Sequence, residues 1–152
     1  MTPKPNPRIN HKYCHFRLRI RRSKIHRWGV YTDQDIPANR KVIEYIGERI
    51  SHREAHQRWH SRYLFLLDDQ WMIDGAVEGS GAEFINHSCE PNLEACIIKG
   101  HIYYMSRRPV KEGEELTIDY NYNRTDEKMP CSCGAKNCRG TINQMRLDGQ
   151  PR

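Results

Sequence analysis

Long apolar runs are missing from this chain. No stretch approaches the roughly 20 residues that span a bilayer as a helix, and the N-terminal MTPKPNPRINHKY is basic and proline-rich without the apolar core of a secretory signal. The expectation is a soluble chain that stays inside a cell, cytoplasmic in a bacterium and nuclear or chromatin-associated otherwise, with no membrane partner. There is no internal repeat and no nuclear-type basic cluster, and helical periodicity is scarce. Apolar residues make up only 37% of the 152 positions. That still suffices for one domain burying about two-thirds of its unfolded surface. The net charge of +6 and pI ≈ 9.1 favour acidic partners or nucleic acid without naming either.

What is present is mostly short strands. Residues 1–15 read as a flexible basic arm, since the first dozen hold three prolines and little that packs. The main domain is expected over 16–124, a cysteine-bearing tail over 125–145 and a disordered terminus over 146–152. FRLRIRR alternates Phe16, Leu18 and Ile20 against Arg17, Arg19 and Arg21, the period of a half-buried strand. SKIHRWGVYT (23–32) reads as a turn-like stretch centred on Gly29. KVIEYIGERI (41–50) is β-branched with a break at Gly47. Ser51 and Glu54 have capping-box spacing, so SHREAHQRWHSR (51–62) is the one plausible helix. Hairpins are expected around Asp68 and Asp69 and around Lys99 and Gly100, and a last strand runs through Leu116 and Ile118 after a turn at 112–114. The sum is a mostly β domain of small sheets.

Two stretches carry chemistry. EFINHSCEPN (83–92) sets Asn86, His87, Ser88 and Cys89 side by side as a strand-like segment ends, open to a Cys/His catalytic pair, a metal site or a plain polar turn. PCSCGAKNCRG (130–140) spaces Cys131, Cys133 and Cys138 as Cys-x-Cys-x4-Cys in a loop with nothing apolar to fold around. Three thiols this close inside a cell read as zinc ligands, because a structural zinc orders a segment that burial cannot. A tetrahedral site needs a fourth ligand, from Cys89, Cys96 or Cys14. Cys89, in a polar turn, is the best of them, and as a ligand it would be lost as a nucleophile. The rival is three unrelated cysteines or a redox pair, although Cys-x-Cys is not the usual redox spacing.

HRWGV (26–30), EYIGE (44–48), FINHSCEPN (84–92), GEELTIDY (113–120) and CSCGAKNCRG (131–140) occur in the order found in SET-domain protein-lysine methyltransferases. Over about residues 17–142 the chain resembles the compact stand-alone members, with a SET core and a post-SET zinc tail but no cysteine-dense pre-SET region. The resemblance implies a β-clip fold of small curved sheets with a C-terminal pseudoknot, S-adenosylmethionine as cofactor, a structural zinc, and a protein substrate presenting a lysine in a flexible, histone-like segment. It further implies that Trp28, Gly29, Val30 and Tyr63 contact the cofactor, that Asn86 and His87 lie on its adenine side, and that Tyr120 and Tyr45 line the lysine channel. Cys89, Cys131, Cys133 and Cys138 would be the zinc ligands. The chemistry is consistent with these roles: methyl transfer from a sulfonium needs a neutral amine, and an aromatic channel lowers a lysine pKa by desolvation while aligning its nitrogen. Singly, each residue has a plainer role: Trp28 as a packing aromatic, Tyr45 and Tyr120 as ordinary strand tyrosines, Asn86 and His87 as turn caps.

The chain also departs from the family pattern. GSGAEF (79–84) puts Ser80 and Glu83 where many members carry an asparagine and a cofactor-contacting arginine, Ile118 replaces a common Phe or Tyr and suggests room for di- or trimethylation, and Asn143 stands where some relatives place an aromatic lid. A net-positive chain would need local acids such as Asp68, Asp69, Glu78 and Glu83 to attract a basic substrate. The rival function is a non-catalytic zinc-stapled module holding nucleic acid or an acidic protein on Arg17 through Arg27.

Overall fold

The computed structural model describes residues 6–123 and 126–144. The expected boundary at 124–125 and the expected disordered terminus lie outside them. Three small antiparallel and mixed sheets carry the fold. The first holds β1 (Leu18–Arg22), β2 (Trp28–Thr32), β10 (Glu115–Ile118) and β7 (Asn86–His87) in the order β1-β2-β10-β7. The second is β3 (Lys41–Tyr45), β9 (His101–Ser106) and β8 (Leu93–Ile98), and the third β4 (Glu48–Ser51), β6 (Trp71–Asp74) and β5 (Leu64–Leu66). This mostly β architecture of small sheets matches the sequence expectation.

Local chemistry explains most of these elements. β8 and β9 join at Lys99 (φ 49°) and Gly100 (φ 78°), the paired positive angles of a two-residue hairpin turn. β3 and β4 are separated at Gly47, where a Cβ would strike the Asp74 carbonyl of the strand beside it. The capping box forms: Ser51 Oγ accepts from Glu54 N (3.2 Å) and Glu54 Oε2 from Ser51 N (2.8 Å). The helix it starts, α1 (His52–Gln57), is shorter than the expected 51–62. Just past its end, Arg58 turns to Asp74 (2.8 Å) and Glu48 (2.7 Å), tying the chain to the third sheet instead of letting it wind on.

Two expectations need correction. The stretch at 23–32 is a turn only as far as Arg27, whose φ of 31° and whose carbonyl's bond from Ser23 N (3.0 Å) close it. Residues 28–32 are a central strand covered on both faces, so the alternation that marks half-buried strands is absent there. Nor is the chain from Ile9 to His15 a free arm. Asn10 N donates to Ser80 O (2.8 Å), Cys14 bridges to Ile43, and Ile9 packs against the core beneath Gly81, whose Cβ would meet it at 2.6 Å. The apolar side chains Ile9, Cys14 and Phe16 supply the burial that the prolines before them cannot.

β10 organises the whole. It pairs antiparallel with β2 (Leu116↔Val30) and parallel with β7 (Thr117↔Asn86, Ile118↔His87), bringing distant segments to one edge of the core formed by Val30, Ile43, Leu93, Ile102 and Leu116. Leu116 is 0% exposed and Ile98 39%. Leu116→Ala is therefore expected to cost about 2–5 kcal/mol of stability in urea unfolding, through the cavity it leaves, and Ile98→Ala under about 1 kcal/mol.

Candidate active site and metal centre

A cleft of ≈ 670 Å³ opens beside β7 and β10, within the range that holds a small ligand. Residues 25–28 form one lip and 60–63 the other, Glu83, Phe84, Asn86, His87 and Tyr120 form the wall, and 129–132 with Ile142 close it from the tail.

Asn86 holds the first lip. Its Nδ2 donates to the carbonyls of Trp28 (2.8 Å) and His26 (3.2 Å) and lies 2.9 Å from Glu115 Oε1. Glu115 in turn accepts from Ser23 Oγ (2.8 Å) and Tyr31 Oη (3.2 Å). A Cβ at residue 29 would fall on Glu115 Oε1, so the carboxylate behind β2 is what demands Gly29. Neither Gly29 nor Val30 is on the cleft wall; Val30 is fully buried in the core. Trp28, Tyr63, Asn86, His87 and Tyr120 are on it. Arg27 and Arg62 stand at the mouth, and burial, then those two guanidiniums, lower the pKa of His26 between them.

Behind the wall lies an aromatic cluster. Tyr45 packs against Phe65 (centroids 5.1 Å) and Tyr104 (5.8 Å), and its Oη donates to Tyr63 O at 2.5 Å. Tyr45 thus supports the cleft from beneath its surface. Tyr120 Oη donates to Ile85 O (2.7 Å). Burial raises all three phenols, Tyr45, Tyr104 and Tyr120, well above the usual tyrosine range. Sequence reading missed Tyr104, Glu115 and Arg139, since each sits in an ordinary strand or loop pattern and matters only through partners far along the chain. Of the acids expected to attract substrate, only Glu83 is on the wall; Asp68 is spent on its own turn, accepting from Gln70 N and Trp71 N, both at 2.8 Å.

His87 joins the cleft to the cysteines. Burial, the larger influence, lowers its pKa to about 4, so it is neutral at ordinary pH. Nδ1 accepts from Tyr120 N (3.1 Å), which leaves the proton on Nε2, facing Cys89 Sγ at 3.4 Å. Cys89, Cys131, Cys133 and Cys138 place their sulfurs within 4.8 Å of one another. Cys89 Sγ is 3.7 Å from Cys131 Sγ and 3.9 Å from Cys138 Sγ. Zinc–thiolate bonds of about 2.3 Å in a tetrahedron require sulfurs about 3.8 Å apart, so the set fits zinc. Backbone N–H groups point at two of the sulfurs, Arg139 N at Cys89 and Gly140 N at Cys138, both 3.4 Å, the kind of outer contact that steadies thiolates. Cys14 and Cys96 stand apart; burial pushes the Cys14 thiol up to about 11.

The tail has a second tie. Arg139 grips Asp119 with both terminal nitrogens (2.6 and 3.2 Å) and donates to Ile142 O (2.9 Å). Asn143 is fully buried, accepting from Met129 N and Thr141 Oγ1 and donating to Asn123 O, each at 2.9 Å. It clasps the tail to the segment after β10, while the neighbouring Ile142 faces the cleft.

Comparison with known proteins agrees with this geometry. The family described as SET domain matches residues 27–121. The chain is 40% identical over 141 residues to the histone-lysine N-methyltransferase, H3 lysine-4 specific, of Aspergillus oryzae, covering 83% of this chain and 12% of that one. It is 42% identical over 137 residues to the protein of the same name in Saccharomyces cerevisiae (80% and 13%), and 43% identical over 133 residues to the histone-lysine N-methyltransferase trithorax of Drosophila virilis (80% and 4%). The chain thus spans a small fraction of these relatives. Among solved structures, KRYPTONITE in complex with mCHG DNA and SAH superposes with a TM-score of 0.76 at 32% identity, covering 85% of this chain and 29% of that one. Among the described residues, no helix is long and apolar enough to cross a membrane.

The metal centre has a direct test. Purified protein is expected to carry one zinc per chain by elemental analysis, and Cys89→Ser to lose it. Because the metal supplies folding energy that the tail cannot gain by burial, the variant and the chelated protein should both melt at lower temperature than the native chain.

Proposed function

We propose that this chain, which belongs to the SET-domain family, transfers a methyl group from S-adenosylmethionine to the amine of a lysine side chain in a protein, with a flexible histone-like segment as the substrate class. The observation that carries this is the state of Tyr120, the expected channel tyrosine that stands on the cleft wall. It gives its hydroxyl hydrogen to Ile85 O. Its oxygen is left as an acceptor, suited to an amine that donates N–H and unsuited to a carbonyl or phosphate. The histone-lysine N-methyltransferase names of the relatives support the same reading.

S-adenosylmethionine, when bound, supplies an electrophilic methyl on a sulfonium. The protein's part is to hold it, align the amine and keep water out. Asn86 fixes the backbone of the lip at 26–28; Arg27 and Arg62 at the mouth suit the cofactor's carboxylate. Tyr120 presents an acceptor to the amine, and the buried phenols around it favour the uncharged form of the nucleophile. Zinc takes no part in the chemistry. It would keep Cys89 in place and, through His87, the backbone of Tyr120. Ile118 brings no hydroxyl to restrain the amine, so di- and trimethylated products belong to this reading.

Tritiated S-adenosylmethionine with a mixed histone panel tests it. Label should appear on histone lysines, and mass spectrometry should find more than one methyl on the target. Tyr120→Phe should lower kcat by at least about tenfold, roughly 1.4 kcal/mol of barrier, with zinc content unchanged. Absence of both transfer and calorimetric cofactor binding would favour the non-catalytic zinc-stapled module.

A further inference from the structure

Resting on that reading, we propose that the carboxylate of Glu83 is the base that takes the proton from the substrate's lysine ammonium. An amine cannot attack a methyl until it has lost a proton, and the other groups around the reacting end cannot accept one. The hydroxyl hydrogens of Tyr45 and Tyr120 are committed to main-chain carbonyls. Both nitrogens of His87 are occupied, by Tyr120 N and Cys89 Sγ. Glu115 lies behind the lip, engaged by Ser23, Tyr31 and Asn86.

Glu83 is differently placed. It is on the cleft wall, and among the described residues no arginine, lysine or histidine forms a salt bridge with it. Its Oε2 accepts from Gly81 N (2.8 Å), which fixes the carboxylate without neutralising it. Two glycines clear its space. A Cβ at Gly79 would collide with Glu83 Oε1, and one at Gly75 would lie 2.6 Å from Tyr45 Oη and 3.1 Å from Glu83 Cβ. Gly75 therefore packs between Glu83 and the Tyr45 hydroxyl with no room for a side chain of its own, and Glu83 is near enough to raise Tyr45 and Tyr104 electrostatically.

The groups acting on it are Tyr45 from β3, Tyr104 from β9 and Arg8 from the N-terminal segment, while Asp74 at the end of β6, paired with Arg58, acts on the same Tyr45. Burial dominates over Arg8 and the backbone donors and lifts the carboxyl to about 7. An acid in that range is ionised often enough to act and basic enough to hold a proton. In the step, a proton passes from lysine Nζ to a Glu83 oxygen. The freed lone pair forms the N–C bond as the C–S bond breaks, its electron pair returning to sulfur, and Glu83 releases its proton to water when the cleft opens.

Two readouts test this. In protein labelled with [13C]glutamate, one side-chain carboxyl resonance should titrate near 7 without any cofactor, and be missing in Glu83→Gln. In single-turnover transfer, the native rate should rise with pH and level off above about 7, whereas Glu83→Gln should be at least about tenfold slower at neutral pH and keep rising toward the amine's own pKa. Glu83→Asp should keep the break in the profile at a reduced rate. Zinc content and the circular-dichroism spectrum, unchanged across the three proteins, show that the fold survives. An active native enzyme whose Glu83→Gln variant has the same profile, or the lack of any carboxyl titrating between pH 6 and 8, overturns the proposal alone. A native chain that neither binds cofactor nor transfers label overturns the methyl-transfer reading, and this one falls with it.

Discussion

Thr117 and Ile118 of β10 pair in parallel with Asn86 and His87 of β7, and that short ladder sets the wall of the cleft beside the cysteine cluster. Its pleat sends consecutive residues in different directions. Asn86 turns to the lip carbonyls, His87 to the amide of Tyr120, and Cys89, just beyond, to the tail cysteines. A parallel pair cannot be made by a tight turn; here nearly thirty residues, including the β8–β9 hairpin, separate its strands. The stretch FINHSC therefore lies between the cleft and the cysteine cluster and gives residues to both.

The metal site and the cleft are linked by polar contacts. The Asp119–Arg139 pair ties the residue before Tyr120 to the residue after Cys138, and the His87 ring spans from Tyr120 N to Cys89 Sγ. Charge-assisted, two-pronged contacts of this kind fix orientation as well as position. A tail that cannot fold by burial thus becomes part of the cleft wall once its three sulfurs are held to Cys89. Arg139 Nε remains without a hydrogen-bond partner, so the guanidinium is committed along one edge only.

The sequence made regular features legible wherever the signal was local. The Ser51–Glu54 box, the Lys99–Gly100 turn and the Cys-x-Cys-x4-Cys spacing all declare themselves within a few residues, and all appear in the structure. Cys89 could be picked as the fourth ligand because a thiol in a polar turn has little else to do. β2 was hidden because a strand buried on both faces has no alternation, and the packing of Ile9 was hidden behind prolines. Gly29 is an instructive case. Its place in a motif suggested a close approach to the cofactor, whereas the nearest obstacle to a side chain is Glu115, 86 positions on in the sequence; only the tertiary structure pairs them.

A half-buried carboxylate without a salt bridge is costly, and the surroundings of Glu83 show how the fold tolerates it. The Tyr45 phenol facing it has its hydrogen committed to Tyr63 O, and backbone amides, Gly81 among them, give it hydrogen bonds without the charge a guanidinium would add. The carboxyl therefore rests between its two protonation states near neutral pH instead of being held firmly ionised. An arginine at this position would add a permanent positive charge to this part of the wall. With glutamate there, the wall can take up a proton, and the cationic mouth, Arg27 and Arg62, is left to meet the anionic part of a ligand.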